Sequence, residues 1–306
     1  MINQEYVRLL ERHGKEVITK KSIRFPHEDI FSDHIPGYFP AHLLDKETYP
    51  FVMNPSLTRS DGKIRGTITN LFAATDSKDL FETNLQSKRQ DWPYHTKQVR
   101  YDVNKHGYRT DEFSTIDWVN SIPVFGCSCV YGIGLAYEDT ISGKIETKTG
   151  NKSINMGFPS GSNELILINI LNMLDYIPIS AFPKNIVIGW TCIDRCVYFD
   201  RDIIHCGSWT LANTGAEETP AKRYAMATNE EVLTPIMKNF YIAETARNLL
   251  RDKTNLIEFS YFPDTAKYMR CSLPMRDIPW DRARDDLHPG INCSDIVSDY
   301  VIGKIK

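Results

Sequence analysis

Val124-Phe125-Gly126-Cys127-Ser128-Cys129-Val130-Tyr131-Gly132-Ile133-Gly134 is the stretch from which the rest of the chain is read. An apolar run closes on Gly126, a serine follows, and glycines stand on both sides. That is the pattern of a strand ending in a tight turn whose backbone N–H groups point at a neighbouring ligand. Ser128 is therefore a candidate nucleophile, but Gly-Cys-Ser is a short string and needs a base from elsewhere in the chain. Cys127 and Cys129 are read as small buried residues, since no neighbour in the sequence marks a lowered thiol pKa. Gly132-x-Gly134 lacks the third glycine of a dinucleotide fingerprint.

Outward from this stretch, short apolar runs alternate with helical stretches, the mark of an α/β domain with a mainly parallel sheet. Ile122 to Phe125 is the first expected strand, its start moved past Pro123 because proline cannot donate to a ladder. Ser153 to Met156, Asn185 to Gly189 and Asn255 to Phe259 follow as strands. Ser162 to Leu174 is a helix apolar nearly all round, with Ser162 as its cap and Glu164 in its first turn, so burial is expected. The segment Asp194 to Arg251 is long for one crossover; it is read as an insertion, with a helix around Glu230 to Leu250.

Residues 1–117 form an irregular N-terminal accessory region ahead of the domain at 118–306. Tyr6, Leu9, Leu10, His13 and Val17 predict an amphipathic helix over 2–20. Ile64-Gly66-Ile68 is a strand candidate, and Val99, Tyr101 and Val103 followed by Asn104-Lys105-His106-Gly107 predict a hairpin just upstream of Trp118.

Composition sets the outer bounds. The 306 residues are 42% hydrophobic and 25% charged with a mean hydropathy of -0.36, which is ordinary for a globular chain. A net charge of -3 lacks the basic excess of a nucleic-acid-coating protein. The start has no apolar signal-peptide core, and the most apolar stretch, Glu164 to Phe182, is interrupted by Asn169, Asn172, Asp175 and Pro178, so no membrane span and a cytoplasmic location are expected. Seven cysteines without framework spacing favour reduced thiols. Cys192, Cys196, His205 and Cys206 lack zinc spacing, and His27, His34 and His42 are too scattered to be ligands, so neither a metal nor another cofactor is expected.

The base candidate lies near the C-terminus in Asp285-Asp286-Leu287-His288-Pro289. An aspartate three residues before a histidine reaches one imidazole nitrogen, fixing the tautomer while the other nitrogen faces a serine proton. With Ser128, the pair makes a nucleophile, a base and an orienting acid.

With these residues in place, the chain resembles the SGNH hydrolases, or GDSL esterases, over roughly Trp118 to Lys306. Gly126-Cys127-Ser128 matches the first block, with Cys127 in place of aspartate, and Asp285-x-x-His288 matches the last. Asn155-Met156-Gly157-Phe158-Pro159-Ser160-Gly161-Ser162-Asn163 is similar to the second, and Ile188-Gly189-Trp190-Thr191 to the third, with Thr191 where the family has asparagine. The segment with Tyr101, Asn104, Gly107, Tyr108 and Arg109 is similar to lead-ins on SGNH-like proteins of large tailed phages, which leaves virion association open.

The resemblance implies a three-layer α/β/α sandwich and hydrolysis of an acyl ester, acetyl included, on a small-molecule or glycan substrate. It implies Ser128, His288 and Asp285 as the catalytic set. The oxyanion would be held by the N–H groups of Ser128 and Gly161, or of Ser160 if the turn is one residue tighter, together with the Thr191 hydroxyl. Trp190, His205 and Trp209 are the expected substrate contacts, with Tyr224 beside them. Two other functions stay open: acyl transfer by the same residues, and a catalytically poor binding or structural module, for which the Thr191 departure is the sign. The oligomeric state is not readable from the sequence.

Overall fold

The computed structural model describes residues 50–54, 68–199, 203–212 and 219–306. The helix expected over 2–20, His27, His34, His42 and most of the Ile64–Ile68 strand candidate lie outside them. In chain order the elements are β1 (Ile68–Asn70), α1 (Lys78–Ser87), β2 (Tyr101–Val103), β3 (Ser121–Gly126), α2 (Ser128–Tyr131), α3 (Ile141–Thr149), β4 (Lys152–Gly157), α4 (Asn163–Tyr176) and β5 (Asn185–Trp190). They continue with β6 (Cys196–Phe199), β7 (Ile203–Cys206), α5 (Ser208–Ala212), α6 (Pro220–Asn229), α7 (Leu233–Leu250), β8 (Asn255–Ser260), α8 (Pro263–Tyr268) and α9 (Ile291–Ile302).

The four strands expected from the apolar runs form one parallel sheet in the order β4-β3-β5-β8. Strand alternation sends side chains to two apolar layers. Ile122, Val124, Val187, Ile257 and Phe259 pack with Ile141 and Ile145 of α3 and Val297 and Val301 of α9. Phe125, Ile154, Met156, Ile186 and Ile188 pack on the other face with Leu165, Ile166 and Ile170 of α4 and Ile242, Ala243 and Ala246 of α7. A sheet buried on both faces reads as continuous apolar runs, which is why the strands stood out in sequence. Ser162 caps α4, its hydroxyl accepting from Leu165 N at 3.4 Å, with Glu164 in the first turn.

Three expectations are corrected. Pro123 lies inside β3, opposite Ile154 of β4, but pairing with β5 begins only at Val124, so its missing N–H costs no rung on that side. Tyr101–Val103 pairs antiparallel with the upstream β1, not with a downstream partner; the Asn104–Gly107 turn forms, closed by Gly107 N donating to Asn104 O at 2.9 Å. The 194–251 insertion is shorter than expected. α7 is the crossover helix between β5 and β8 and belongs to the main core, leaving the β6–β7 hairpin, α5 and α6 as the additions.

Described residues of the N-terminal region pack into the domain. Phe51 and Val52 lie in the α4–α7 layer, with the Phe51 ring 4.6 Å from Phe113 and 5.9 Å from Trp118. Val52 N donates to Asn169 Oδ1 of α4 at 3.0 Å. No helix among the described residues is long and apolar enough to cross a membrane.

Candidate active site

Parallel sheets offer a crevice at the carboxyl ends of their strands, where the loops after each strand converge. β3 ends at Gly126, where a Cβ would stand 2.3 Å from Val130 Cγ2 and 3.0 Å from Gly189 O; glycine lets α2 fold back onto the sheet edge. Cys127 is extended, Ser128 opens α2, and Gly132 at φ +80° closes it. Ser128 is thereby held on a strand–turn–helix with its own N–H donating to nothing among the described residues. Cys127 and Cys129 are buried on either side of it.

His288 comes from the loop before α9. That loop is closed on itself, Ala283 N donating to His288 O at 3.0 Å and Asp286 N to Ala283 O at 2.9 Å. Asp285 Oδ1 accepts from the N–H groups of Leu287 and His288 at 3.2 and 3.1 Å, a local carboxylate turn that fixes both residues. Asp285 Oδ2 meets His288 Nδ1 at 2.6 Å, and His288 Nε2 lies 2.9 Å from Ser128 Oγ. The structure thus brings Ser128, His288 and Asp285 into one hydrogen-bonded line across 160 residues of sequence. Burial opposes ionisation of Asp285, but the hydrogen bond and charge of His288, the Thr75 hydroxyl and the His288 N–H outweigh it and hold the carboxyl below its ordinary value.

The second and third blocks are placed differently from expectation. Gly161 N already donates to Phe158 O at 2.9 Å, so its N–H is spent within the turn. Ser160 is exposed, has φ +60°, and its N–H has no partner among the described residues. A non-glycine residue in the left-handed region is uncommon and is a feature of functional turns. Thr191 is fully buried, and its hydroxyl has neither solvent access nor an aligned hydrogen-bond partner. Asn163 grips the Thr191 backbone, accepting from Thr191 N at 2.9 Å and donating to Thr191 O at 3.1 Å, so the residue is held with its side chain inward.

Trp190 is corrected from substrate contact to core: it is 1% exposed, and its indole N–H donates to Glu258 Oε1 at 2.8 Å. As the last residue of β5 it faces the α4–α7 layer, the same face as Ile186 and Ile188. His205 on β7 is half-buried, its ring 5.1 Å from Phe158 in the second-block turn, while Trp209 on α5 is 41% exposed beneath the Arg195 guanidinium. Tyr224 on α6 is exposed and rests against Tyr198 of β6. Cys196 and Cys206 face each other across β6 and β7 and are packed with Ala221 and Ala225, while Cys192 is half-buried in the loop after β5.

Sequence reading missed a set of residues from the N-terminal region. Thr75 Oγ1 donates to Asp285 Oδ2 at 2.7 Å, the same oxygen that meets the imidazole. Asp76 pairs with Arg284, next to Asp285, at 2.6 and 2.9 Å; both are buried. Phe72 and Phe81 lie against the Arg284 guanidinium at 4.8 and 4.9 Å. Asn84 of α1 donates to Arg284 O at 3.0 Å. On the opposite side Gly134, at φ +76°, lets Arg284 N reach its carbonyl at 3.1 Å; a Cβ there would lie 2.8 Å from both Ala283 Cβ and Arg284 N. Thr75 and Asp285 are 210 residues apart, so no local spacing could have revealed the pair.

No family model matches the chain, and no curated protein matches it. Among solved structures, it is similar to a lipolytic protein of the G-D-S-L family from Desulfitobacterium hafniense DCB-2, at 10% identity and a TM-score of 0.37 over 60% of this chain and 97% of that one. A second is TesA, at 11% identity and a TM-score of 0.37 over 61% and 98%. A third is a member of the lipolytic G-D-S-L family from Veillonella parvula DSM 2008, at 12% identity and a TM-score of 0.35 over 60% and 96%.

Proposed function

We propose that the chain is a serine esterase that cleaves an acyl ester of a small polar molecule or glycan. The observation that carries this is the continuous line Ser128 Oγ, His288 Nε2, His288 Nδ1, Asp285 Oδ2, with separations of 2.9 and 2.6 Å at its two hydrogen bonds. Ser128 Oγ attacks the acyl carbonyl as His288 Nε2 takes its proton. The proton returns to the leaving alcohol, and water repeats the sequence on the acyl-enzyme. Asp285, ionised, keeps the Nδ1 proton on the side away from Ser128 and stabilises the imidazolium that forms. The unspent N–H groups of Ser128 and Ser160 are the oxyanion donors in this reading. Each step uses groups of the protein itself.

A fluorophosphonate probe tests the assignment. Wild type is expected to be labelled at Ser128 and to hydrolyse short acyl esters, and Ser128→Ala to fold normally, escape labelling and lose about 10³-fold or more in turnover. Wild type left unlabelled, and inactive on short-chain and sugar acetate esters alike, overturns it.

A further inference from the structure

The β6–β7 addition carries a cation to the edge of this site. Arg195, in the loop between β5 and β6, directs Nη1 to Gly161 O at 3.3 Å, two peptide units along the chain from the free Ser160 N–H. Its guanidinium carbon stands 5.2 Å from the centre of the Trp209 ring, and Trp209 leaves part of its surface to solvent. Arg195 lies within electrostatic reach of Cys127 and Cys129, the two residues flanking Ser128.

The guanidinium makes no ion pair among the described residues, although the charge of the adjacent Asp194 reaches it. The adjacent Asp194 directs Oδ2 to Ser208 N at 3.1 Å, and Glu164 is taken by Lys238 at 2.8 Å. Charges withdrawn from water are normally paired, and a planar guanidinium stacked on an indole is pre-organised to take two oxygens of a carboxylate or phosphate.

We infer that Arg195, backed by Trp209, is the recognition point for an anionic group, carboxylate or phosphate, on the ester that Ser128 attacks. The inference rests on the esterase reading and deepens it by assigning a substrate class: acidic esters, bound with the anion beside the Ser160–Gly161 turn and the carbonyl over Ser128. Trp209 is a wall of this subsite and Arg195 its specificity-determining residue.

Paired activated esters test it. Wild type is expected to have a higher kcat/KM for p-nitrophenyl hemisuccinate than for p-nitrophenyl acetate, and Arg195→Gln to lower the ratio of the two by about tenfold or more, chiefly through KM. Arg195→Lys, which keeps the charge but not the fork, is expected to restore part of that ratio. An unchanged ratio in Arg195→Gln, whether both rates fall together or neither falls, overturns the inference.

Calorimetry with succinate and with inorganic phosphate on Ser128→Ala gives a readout that needs no turnover. Binding that Arg195→Gln abolishes in the same background is expected, and the stronger ligand identifies the anion. Esterase activity with no anion binding and no acidic preference defeats the inference while leaving the esterase reading standing. Arg195-dependent binding in a wild type that hydrolyses neither ester and resists the serine probe defeats the esterase reading and leaves the anion site. Failure of both hydrolysis and binding defeats both.

Discussion

Asp285 carries two tasks on separate oxygens: Oδ1 ties down the loop N–H groups, and Oδ2 faces the imidazole and Thr75. Because its folded pKa lies below the ordinary 3.8, its ionised form stabilises the fold. That stabilisation is fully present above the ordinary value and is lost as pH falls through the lower folded one. The difference in urea stability between wild type and Asp285→Asn is therefore expected to be constant well above the ordinary value and to shrink as pH falls below it; a difference that does not vary with pH contradicts the assignment. Thr191 makes a second test. With its hydroxyl sealed from solvent, Thr191→Val is expected to change turnover by less than about threefold, whereas loss of a working oxyanion donor costs about 10² or more. Steady-state kinetics on a short ester separates the two.

At the scale of elements, the loop bearing Asp285 and His288 is held from two sides, by β1–α1 through Asp76 and Asn84 and by the turn after α2 through Gly134. The Asp76–Arg284 pair is buried, so its worth to net stability is modest, but removing one partner strands the other in a dry site. Asp76→Ala is expected to cost about 3–5 kcal/mol in denaturant unfolding, and Asp76→Ala with Arg284→Met to recover part of that. Turnover on short esters should fall in the single variant even at temperatures where it stays folded, because the His288 loop loses its anchor. A variant of normal stability would show that solvent, rather than Asp76, satisfies Arg284.

On the scale of the whole molecule, Phe51, Val52, Tyr108 and Phe113, ahead of the sheet, belong to the core on one of its faces. Phe51 sits among Phe113, Trp118 and Tyr176, with ring centroids 4.6 to 5.9 Å away, on the layer that also holds α4 and α7. Phe51→Ala is expected to destabilise the protein by about 3–5 kcal/mol in a single cooperative transition. A second, independent transition in wild type would show instead that the N-terminal part folds by itself. The additions between β5 and α7 take the opposite role: they leave the sheet untouched and close over the Phe158–Gly161 turn through His205 and Arg195.

The parallel sheet was legible because strands buried on both faces must be continuous apolar runs, and α4 because its cap and apolar faces are written locally at Ser162 to Tyr176. Ser128 with Asp285-x-x-His288 was legible for the same reason, since a strand-end serine and an Asp-to-His step of three residues are short-range patterns. Tertiary structure decided the remainder. Trp190 and Thr191 read as site residues by position, yet the strand pleat turns one into the core and Asn163 clamps the other inward. Whether Ser160 or Gly161 offers its N–H depended on a backbone dihedral angle and one turn hydrogen bond, neither of which a residue name specifies. Thr75 and Asp76 reach the Asp285 loop only because the chain returns over some 210 residues, and periodicity carries no information at that separation.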